Sequence, residues 1–191
     1  MSLVRSLPLA LILSTAIGVS AYAEDTFVVD GVHSAALFRI NHFNIGNFYG
    51  RFNDVGGTIV WNAADVTKST VSFTIKADSI DTNNAKRDQH LKGPDFFDAK
   101  QFETATFTST SIKAVDAKNM EVTGDLTVHG VTKPVTAKVV LVGEGKGPAG
   151  EPRIGFEATF DLKRTAHGMT FMSDKLGDDV HVIIAAEGVK K

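Results

Sequence analysis

The chain contains no cysteine among its 191 residues. It therefore forms no disulfide, attaches no c-type haem, and offers neither a thiolate nucleophile nor a cysteine-based zinc site. An excess of positive charge is also lacking. The formal net charge is -2 at pH 7, so no basic face for nucleic acid is predicted. The remaining composition, 43% hydrophobic and 22% charged, is ordinary for a globular protein and suffices for one domain with a core.

The segment 1–23 has the pattern of an export signal. One early cation, Arg5, precedes an apolar run over 7–19, and Ala21 to Ala23 supply an A-x-A cleavage pattern. The run is too short for a membrane span, although a retained N-terminal anchor is the alternative. We predict a cleaved signal peptide over 1–23 and one domain over 24–191. Export without cysteine for disulfides or lipid attachment favours a periplasmic location.

Alternation of apolar and polar residues dominates the rest of the chain. Val71, Phe73 and Ile75, for example, alternate with Ser72 and Thr74. A period of two places the apolar set on one face of a strand, and a polar opposite face is typical of antiparallel sheets. The pattern predicts an all-β sandwich or barrel of eight or nine strands. The strands are predicted near residues 26–30, 34–43, 48–61, 69–79, 104–114, 119–129, 134–145, 153–164 and 179–189.

Two segments, 82–98 and 165–177, break this period. In the first, Thr82 or Asn83 can cap a short helix, and Gly93 with Pro94 would end it. Phe96 and Phe97 follow and need an apolar surface, for which the open end of a barrel is the nearest candidate. The segment is therefore predicted to be a lid, either a fixed plug or a gate.

The same stretch gathers four side chains that resemble a metal cluster, namely Asp88, His90, Asp95 and Asp98. On a helix, however, residues at i and i+2 do not face each other. We predict no metal site here. Catalysis is not predicted either, because Ser34 and His33 are strand neighbours that point to opposite faces and no nucleophile elbow or phosphate loop occurs.

The aromatic residues are unevenly chosen: thirteen Phe against two Tyr and one Trp. Phe has no polar tip, so it suits a dry surface. The inward-facing positions mix Phe with Ala. This mixture is compatible with two alternatives. The interior is either a filled core in which Phe and Ala interlock, or an open pocket.

His42, near the end of its predicted strand, and polar groups in the irregular parts of the chain are candidates for contact with a ligand head group. His42 continues the phase of Phe38 and Ile40, so it is either a satisfied core residue or such a contact. Arginine suits a phosphate or carboxylate, and the alternative for each charged residue is a solvated surface position. The candidate head-group contacts are Arg39, Arg87, His90, Arg164 and His167.

Several segments together resemble the YceI-like family across nearly all of the chain after residue 23. The most specific block runs from Ser79 through His90 to Asp98. His167 departs from the usual pattern, since an aromatic residue is more usual there. The matching segments are VDGVHSAALFRINHF, IGNFYGRFNDVGGTI, VSFTIKADSIDTNNAKRDQHLKGPDFFDAKQFETATFTST, GDLTVHGVTKPV, IGFEATFDLKRTAHGM and LGDDVHVIIAAE.

The resemblance implies an all-β fold: an eight-stranded antiparallel, extended lipocalin-like barrel with a hydrophobic pore and short helical lid segments. Family members are similar in holding a long apolar molecule, such as a polyisoprenoid, a polyprenyl quinone, or a fatty acid or amide. The resemblance implies no catalytic residue, no metal and no cofactor apart from a bound isoprenoid or quinone lipid. It favours the open pocket over the filled core.

The expected function is therefore that of a periplasmic carrier or buffer for such a molecule. The alternatives are an enzyme acting on an isoprenoid or lipid, and a ligand-free stress-response module. Besides the apolar small molecule, transient membrane contact and a dimer are compatible with the sequence, and no nucleic acid partner is expected. The predicted pocket wall comprises Phe38, Ile40, His42, Phe48, Phe52, Val71, Phe73, Ile75, Phe96, Phe97, Phe107, Leu126, Val139, Phe156, Phe160, Val182 and Ile184.

Overall fold

The computed structural model describes residues 24–191, so the predicted signal peptide over 1–23 lies outside the described residues. Strands make up most of the described chain, with one α-helix and three short 3₁₀ turns at Val66–Lys68, Ala77–Ser79 and Arg164–His167. None of the helices in residues 24–191 is long and apolar enough to cross a membrane. The elements are β1 Asp25–Val29, β2 Ala35–His42, β3 Gly46–Phe52, β4 Val55–Trp61, β5 Thr70–Lys76, β6 Ile80–Asp81, α1 Ala85–Leu91, β7 Thr104–Ala114, β8 Asn119–Val128, β9 Val131–Lys146, β10 Pro152–Lys163 and β11 Leu176–Lys190.

Eight lines of strand close into an antiparallel barrel. β1 and β2 follow one another along β11, with Val29 opposite Gly188 and Ala35 opposite Ala185. β3 and β4 likewise follow one another in one line, in which β3 pairs with β2 and β4 pairs with β1. On the other side of this line, β5 pairs with β4 and β6 pairs with β3, so β5 and β6 form the next line. These three lines and β7 to β11 make eight, and the pairing of β1 with β11 closes the ring. The predicted eight-stranded, all-β barrel is confirmed.

The strand predicted over 48–61 is two strands, β3 and β4, interrupted at Asn53 and Asp54. The strand predicted over 69–79 ends at Lys76, at the level of this interruption. Asn53 N donates to Ser79 O at 3.1 Å, and Lys76 N donates to Asp54 O at 3.0 Å. Both lines are therefore interrupted at the same level, and the barrel continues beyond it as β2, β3 and β6.

The strand predicted to begin at 134 begins at Val131 instead. His129 and Gly130 both have positive φ, 50° and 73°, and form a two-residue turn between the paired residues Val128 and Val131. Positive φ at both central residues is typical of the tight hairpin turn that suits twisted strands. Lys133 and Pro134 lie inside β9.

The segment between β6 and β7 covers a gap in the barrel wall. β6 has only two residues and pairs with β3, whereas β7 pairs with β5 and β8. Residues 82–103 therefore lie where the wall is open on the side of β6, and they include α1. The segment 165–177, which we call the 165–177 loop, joins β10 to β11 and includes the first two residues of β11. It lies at the same end, which we call the mouth.

Candidate ligand-binding cavity

The barrel encloses two apolar cavities, an inner one of about 110 Å³ and an outer one of about 340 Å³. Four residues, Ile75, Ala105, Leu126 and Phe160, line both cavities and therefore form the boundary between them. The outer cavity is lined by residues of β2, β3, α1 and the 165–177 loop, which places it at the mouth. The two cavities follow one another along the barrel.

Small residues leave the inner cavity open. Ala137, Ala158 and Ala186 line it at positions where longer side chains would meet across the barrel. Phe107 also lies over Gly124, where a Cβ atom would be 2.5 Å from Phe107 Cζ. The ring therefore lies along the wall and away from the centre. These contacts explain why a Phe-rich interior is not filled by its own side chains.

Charged and histidine side chains are confined to the outer part of the site. The inner cavity has Ser69 and Thr106 as its polar lining residues, and Ser69 already accepts a hydrogen bond from Asn62 N at 2.9 Å. The outer cavity adds two histidines and two arginines, and no aspartate or glutamate lines either cavity. A molecule with an apolar tail and a neutral or anionic head fits this distribution, with the head at the mouth. The polar outer residues are His42, Arg87, His90 and Arg164.

The structure places every predicted pocket-wall residue against one of the two cavities, while contact with a ligand stays a prediction. The inner cavity is lined by Val71, Phe73, Phe107, Val139, Phe156 and Ile184. The outer cavity is lined by Phe38, Ile40, His42, Phe48, Phe52, Phe96, Phe97 and Val182. Both are lined by Ile75, Leu126 and Phe160.

The lid helix α1 begins one or two residues later than predicted. Asn84, not Thr82 or Asn83, is the N-cap, and its side chain accepts from Arg87 N at 3.0 Å. Asn83 has a φ of 59°, outside the extended region that an N-cap adopts. The Thr82 hydroxyl is engaged by Arg87 Nε at 2.8 Å. The helix ends at Leu91, ahead of Gly93 as predicted.

Arg87 is held beside the mouth by this arrangement. Its guanidinium lies 4.3 Å from the centre of the Phe48 ring, and its Nη2 donates to Thr82 O at 2.6 Å. These bonds use Nε and Nη2, so Nη1 takes part in neither. The group is fixed at the edge of the outer cavity with donor capacity left for an anionic or carbonyl oxygen.

His90 belongs to an aromatic cluster that closes the mouth. Its ring contacts Phe96 and Phe171 at centroid distances of 5.1 and 5.4 Å, both edge-on. Its Nε2 lies 2.8 Å from Asp95 Oδ2, whereas Asp88 accepts from Thr82 N at 2.9 Å. The acidic residues of this stretch are therefore turned to different partners.

Arg164 uses most of its hydrogen-bonding capacity within the protein, so a contact with a ligand head group stays a prediction. The residue is 3% exposed and donates to four backbone oxygens of the 165–177 loop and its continuation. Burial lowers the pKa of its guanidinium. Arg164 lines the outer cavity, but four of its five N–H donors are used to hold the loop. The four accepting residues are Met169, Phe171, Leu176 and Gly177.

Two other predicted head-group residues lie away from both cavities. Arg39 lies between two cavity-lining residues of β2, Phe38 and Ile40, so it points to the outer face of the barrel. His167 is 3% exposed, and its Nδ1 is 3.0 Å from Val131 O. The structure corrects both assignments, because neither side chain lies where a head group would be bound.

Sequence reasoning missed residues of the 165–177 loop and the end of β4. Met169 and Met172 line the outer cavity, but their segment has no period that could reveal it. Trp61 lines the inner cavity and packs edge-on against Phe156 at 5.3 Å. Its phase on β4 follows Ile59, so alternation was the available signal.

A second polar cluster lies outside the cavities. Among residues 24–191, the group whose ligand atoms come close enough to hold a metal ion is Asp30, His33 and Glu187. Arg153 donates from Nη1 to both carboxylates, at 2.9 Å in the case of Asp30 Oδ2. Hydrogen bonding from His33, then from the Val32 backbone and Arg153, lowers the pKa of Asp30 to about 2. The cluster is a paired ionic network on the barrel wall.

A closed antiparallel barrel around an apolar cavity, opened at one end under two loop segments, is a lipocalin-like architecture. The family model of the YceI-like domain matches residues 27–188. The chain belongs to the YceI-like family.

Individual relatives agree with this assignment. The chain is 40% identical to the UPF0312 protein of Ectopseudomonas mendocina over 185 residues, which are 95% of this chain and 96% of that protein. The crystal structure of the Campylobacter jejuni YCEI protein is similar at a TM-score of 0.69 and 31% identity, over 79% of this chain and 90% of that one. A polyisoprenoid binding domain from Saccharophagus degradans shares the fold at a TM-score of 0.66 and 15% identity, over 86% and 98%.

Proposed function

We propose that the protein is a periplasmic carrier or buffer for a long apolar molecule of the isoprenoid or quinone-lipid class. The observation that carries this proposal is the distribution of polarity along two successive cavities. The inner one is almost wholly apolar, and the cationic and histidine side chains are found at the mouth. The tail would lie in the inner cavity, and the head would lie near Arg87 and His90.

The energetics support such a ligand. Transfer of an apolar chain from water contributes roughly 0.8 kcal/mol per CH₂ group, before the losses on association are subtracted. The wall offers few hydrogen-bonding groups, so shape and length would set selectivity. The polyisoprenoid binding domain from Saccharophagus degradans bears a description in the same ligand class. We expect a permissive site that accepts related chains.

The site favours binding over catalysis. Its two hydroxyl residues, Ser69 and Thr106, line the inner cavity, whereas its histidines line the outer one. No hydroxyl of the cavity walls is therefore paired with a histidine as a nucleophile needs. If the protein were an enzyme, His42→Ala would abolish turnover, whereas a carrier with this change would still bind with altered affinity.

Organic extraction of the purified protein, followed by mass spectrometry, tests the proposal. We expect an isoprenoid or quinone lipid at close to one molecule per protein chain. Protein freed of that lipid should bind all-trans-retinol, a fluorescent isoprenoid alcohol. The matched control is Ala158→Phe, which fills the inner cavity. Extracts without an enriched apolar molecule, together with no retinol binding by the lipid-free protein, would overturn the proposal. Fractionation of the producing cells tests the periplasmic location.

A further inference from the structure

We propose that the rim of the mouth is a docking surface for a lipid bilayer, through which cargo enters and leaves the barrel. The surface consists of the β2–β3 turn around Phe43 and Ile45 and of Phe171 in the 165–177 loop. These three side chains are 40%, 89% and 37% exposed. The role of this surface in cargo transfer rests on the proposed carrier function. Its binding to lipid vesicles can be measured independently of ligand binding in the barrel.

The exposed residues surround the entrance of the apolar cavity. His42 and Phe48, on either side of the β2–β3 turn, line the outer cavity, as does Met172 beside Phe171. Phe43 N donates to Lys175 O at 2.8 Å, so the turn is joined to the 165–177 loop. Apolar surface therefore continues from the cavity to the rim, whereas scattered single apolar residues on a surface would need no explanation.

The backbone N–H groups of the turn are paired within the protein. Three successive N–H groups are satisfied within the protein: Phe43 N by Lys175 O, Asn44 N by Asn41 Oδ1 at 2.8 Å, and Ile45 N by His42 O at 3.0 Å. An unsatisfied N–H is costly in a lipid environment. A turn that presents apolar side chains with its donors already paired can enter the interface of a bilayer without that penalty.

The backbone of the turn also holds these side chains outward. Phe43 and Asn44 both have a φ of 55°, in the left-handed region that bulky residues seldom adopt. Asparagine adopts this region readily, whereas the bulky Phe43 is the unusual residue of the pair. Here the two left-handed residues place Ile45 at the tip, where it is almost fully exposed.

Charge selects a bilayer as the occupant over a charged protein surface. Residues 40–50 contain no aspartate, glutamate, lysine or arginine. The 165–177 loop adds Asp174 and Lys175 near its end, whose charges cancel. An apolar surface without net charge suits insertion between lipid head groups better than it suits a charged protein surface, and it requires no anionic lipid.

Flotation with phosphatidylcholine vesicles, repeated with phosphatidylglycerol added, tests the proposal on the purified full chain. All variants share one sequenced N terminus, so any leader contributes equally. We expect Ile45→Ser to lower the ratio of bound to free protein about tenfold, in line with the transfer free energy of its side chain. The control Val32→Ser removes a valine that is 86% exposed before β2, a whole strand away from the mouth, and should change nothing.

Each other outcome overturns the docking surface. These outcomes are no binding by the unaltered protein, an equal effect of Val32→Ser, or binding only to anionic vesicles that Ile45→Ser leaves unchanged. Sedimentation without vesicles tests whether the surface binds a second copy of the chain instead. A dimer that Ile45→Ser dissociates would show this and would overturn the proposal. Retinol binding by Ile45→Ser should be intact. If the unaltered protein binds retinol but does not dock on vesicles, this inference alone is removed. Failed retinol binding by the unaltered protein, together with extracts that lack an enriched apolar molecule, removes the carrier function instead.

Discussion

The ring of Phe96 lies edge-on against the ring of Phe171, with a centroid distance of 5.3 Å and an interplanar angle of 72°. This contact joins the two segments that interrupt the strands, 82–103 and 165–177, across the mouth of the barrel. Phe96 is buried, whereas Phe171 is partly exposed. His90 contacts both rings, so one three-ring cluster holds the lid segment against the loop.

If this cluster is a gate, Phe171→Ala should speed the release of retinol. An edge-on aromatic pair contributes about 0.5–1.5 kcal/mol, so its loss should raise the release rate about two- to tenfold. The free energy of unfolding should fall little, because Phe171 is already partly exposed. Stopped-flow fluorescence measures the release, and urea unfolding measures the stability.

The matched control for the gate is Val115→Ala. Val115 is 58% exposed in the turn between β7 and β8, at the end of the barrel away from the mouth. A second variant, Phe97→Ala, removes the ring that packs edge-on against Phe52 at 5.3 Å. Unchanged release in Phe171→Ala, together with a large loss of stability in Phe97→Ala, would identify the lid as a fixed plug.

The inner cavity should set the length of chain that the barrel accepts. Val139 lines it, whereas its neighbour Val140 is 38% exposed on the outer face of β9. Val139→Phe should weaken binding of a long polyprenol at least about tenfold, because added side-chain volume replaces the buried end of the tail. Retinol, which is shorter, should lose less. Val140→Phe adds the same ring outside the barrel and should bind both molecules as the unaltered protein does.

The cavity wall could be predicted because adjacent residues of a strand point to opposite faces of the sheet. Phe38 and Ile40 were assigned to the interior by phase, and they line the outer cavity. The head-group residues were chosen by chemical type instead, and Arg39 lies on the opposite face of the same strand. The irregular 165–177 loop has no period, so its use of the buried Arg164 as an organiser could not be predicted.

The strand boundaries were predicted less well, because they depend on contacts that local alternation does not reveal. Residues 48–61 alternate well enough to predict one strand, and their two pieces do continue one line of the barrel. The break at Asn53 depends on hydrogen bonding to Ser79, which is distant in sequence. Similarly, His129 is uncommon in a tight hairpin turn, where asparagine or aspartate before glycine is the stronger signal.

Removing Arg164 should release the 165–177 loop. Arg164→Met leaves buried carbonyl oxygens of the loop without their donors, and each such loss costs about 1–3 kcal/mol. We expect the free energy of unfolding to fall by about 2 kcal/mol or more, and we expect retinol release to become faster, since Phe171 O is one of the acceptors. The control Arg39→Met removes the same charge from the outer face. Equal stability of the two variants in urea unfolding would contradict the organising role.

The network around Asp30 should make the fold sensitive to acid. The pKa of Asp30 is lowered from 3.8 to about 2, chiefly by the hydrogen bond from His33. A lowered pKa means that the ionised form is favoured in the folded state. Its contribution to stability is therefore fully present above the unfolded value and is lost as the pH falls through the folded value.

Urea unfolding between pH 3.8 and about pH 2 should show this loss of stability, and Asp30→Asn should make the dependence of stability on pH less steep. The control Asp125→Asn removes an exposed carboxylate from β8, outside the network around Asp30. Identical slopes in the two variants would show that Asp30 is not the group responsible.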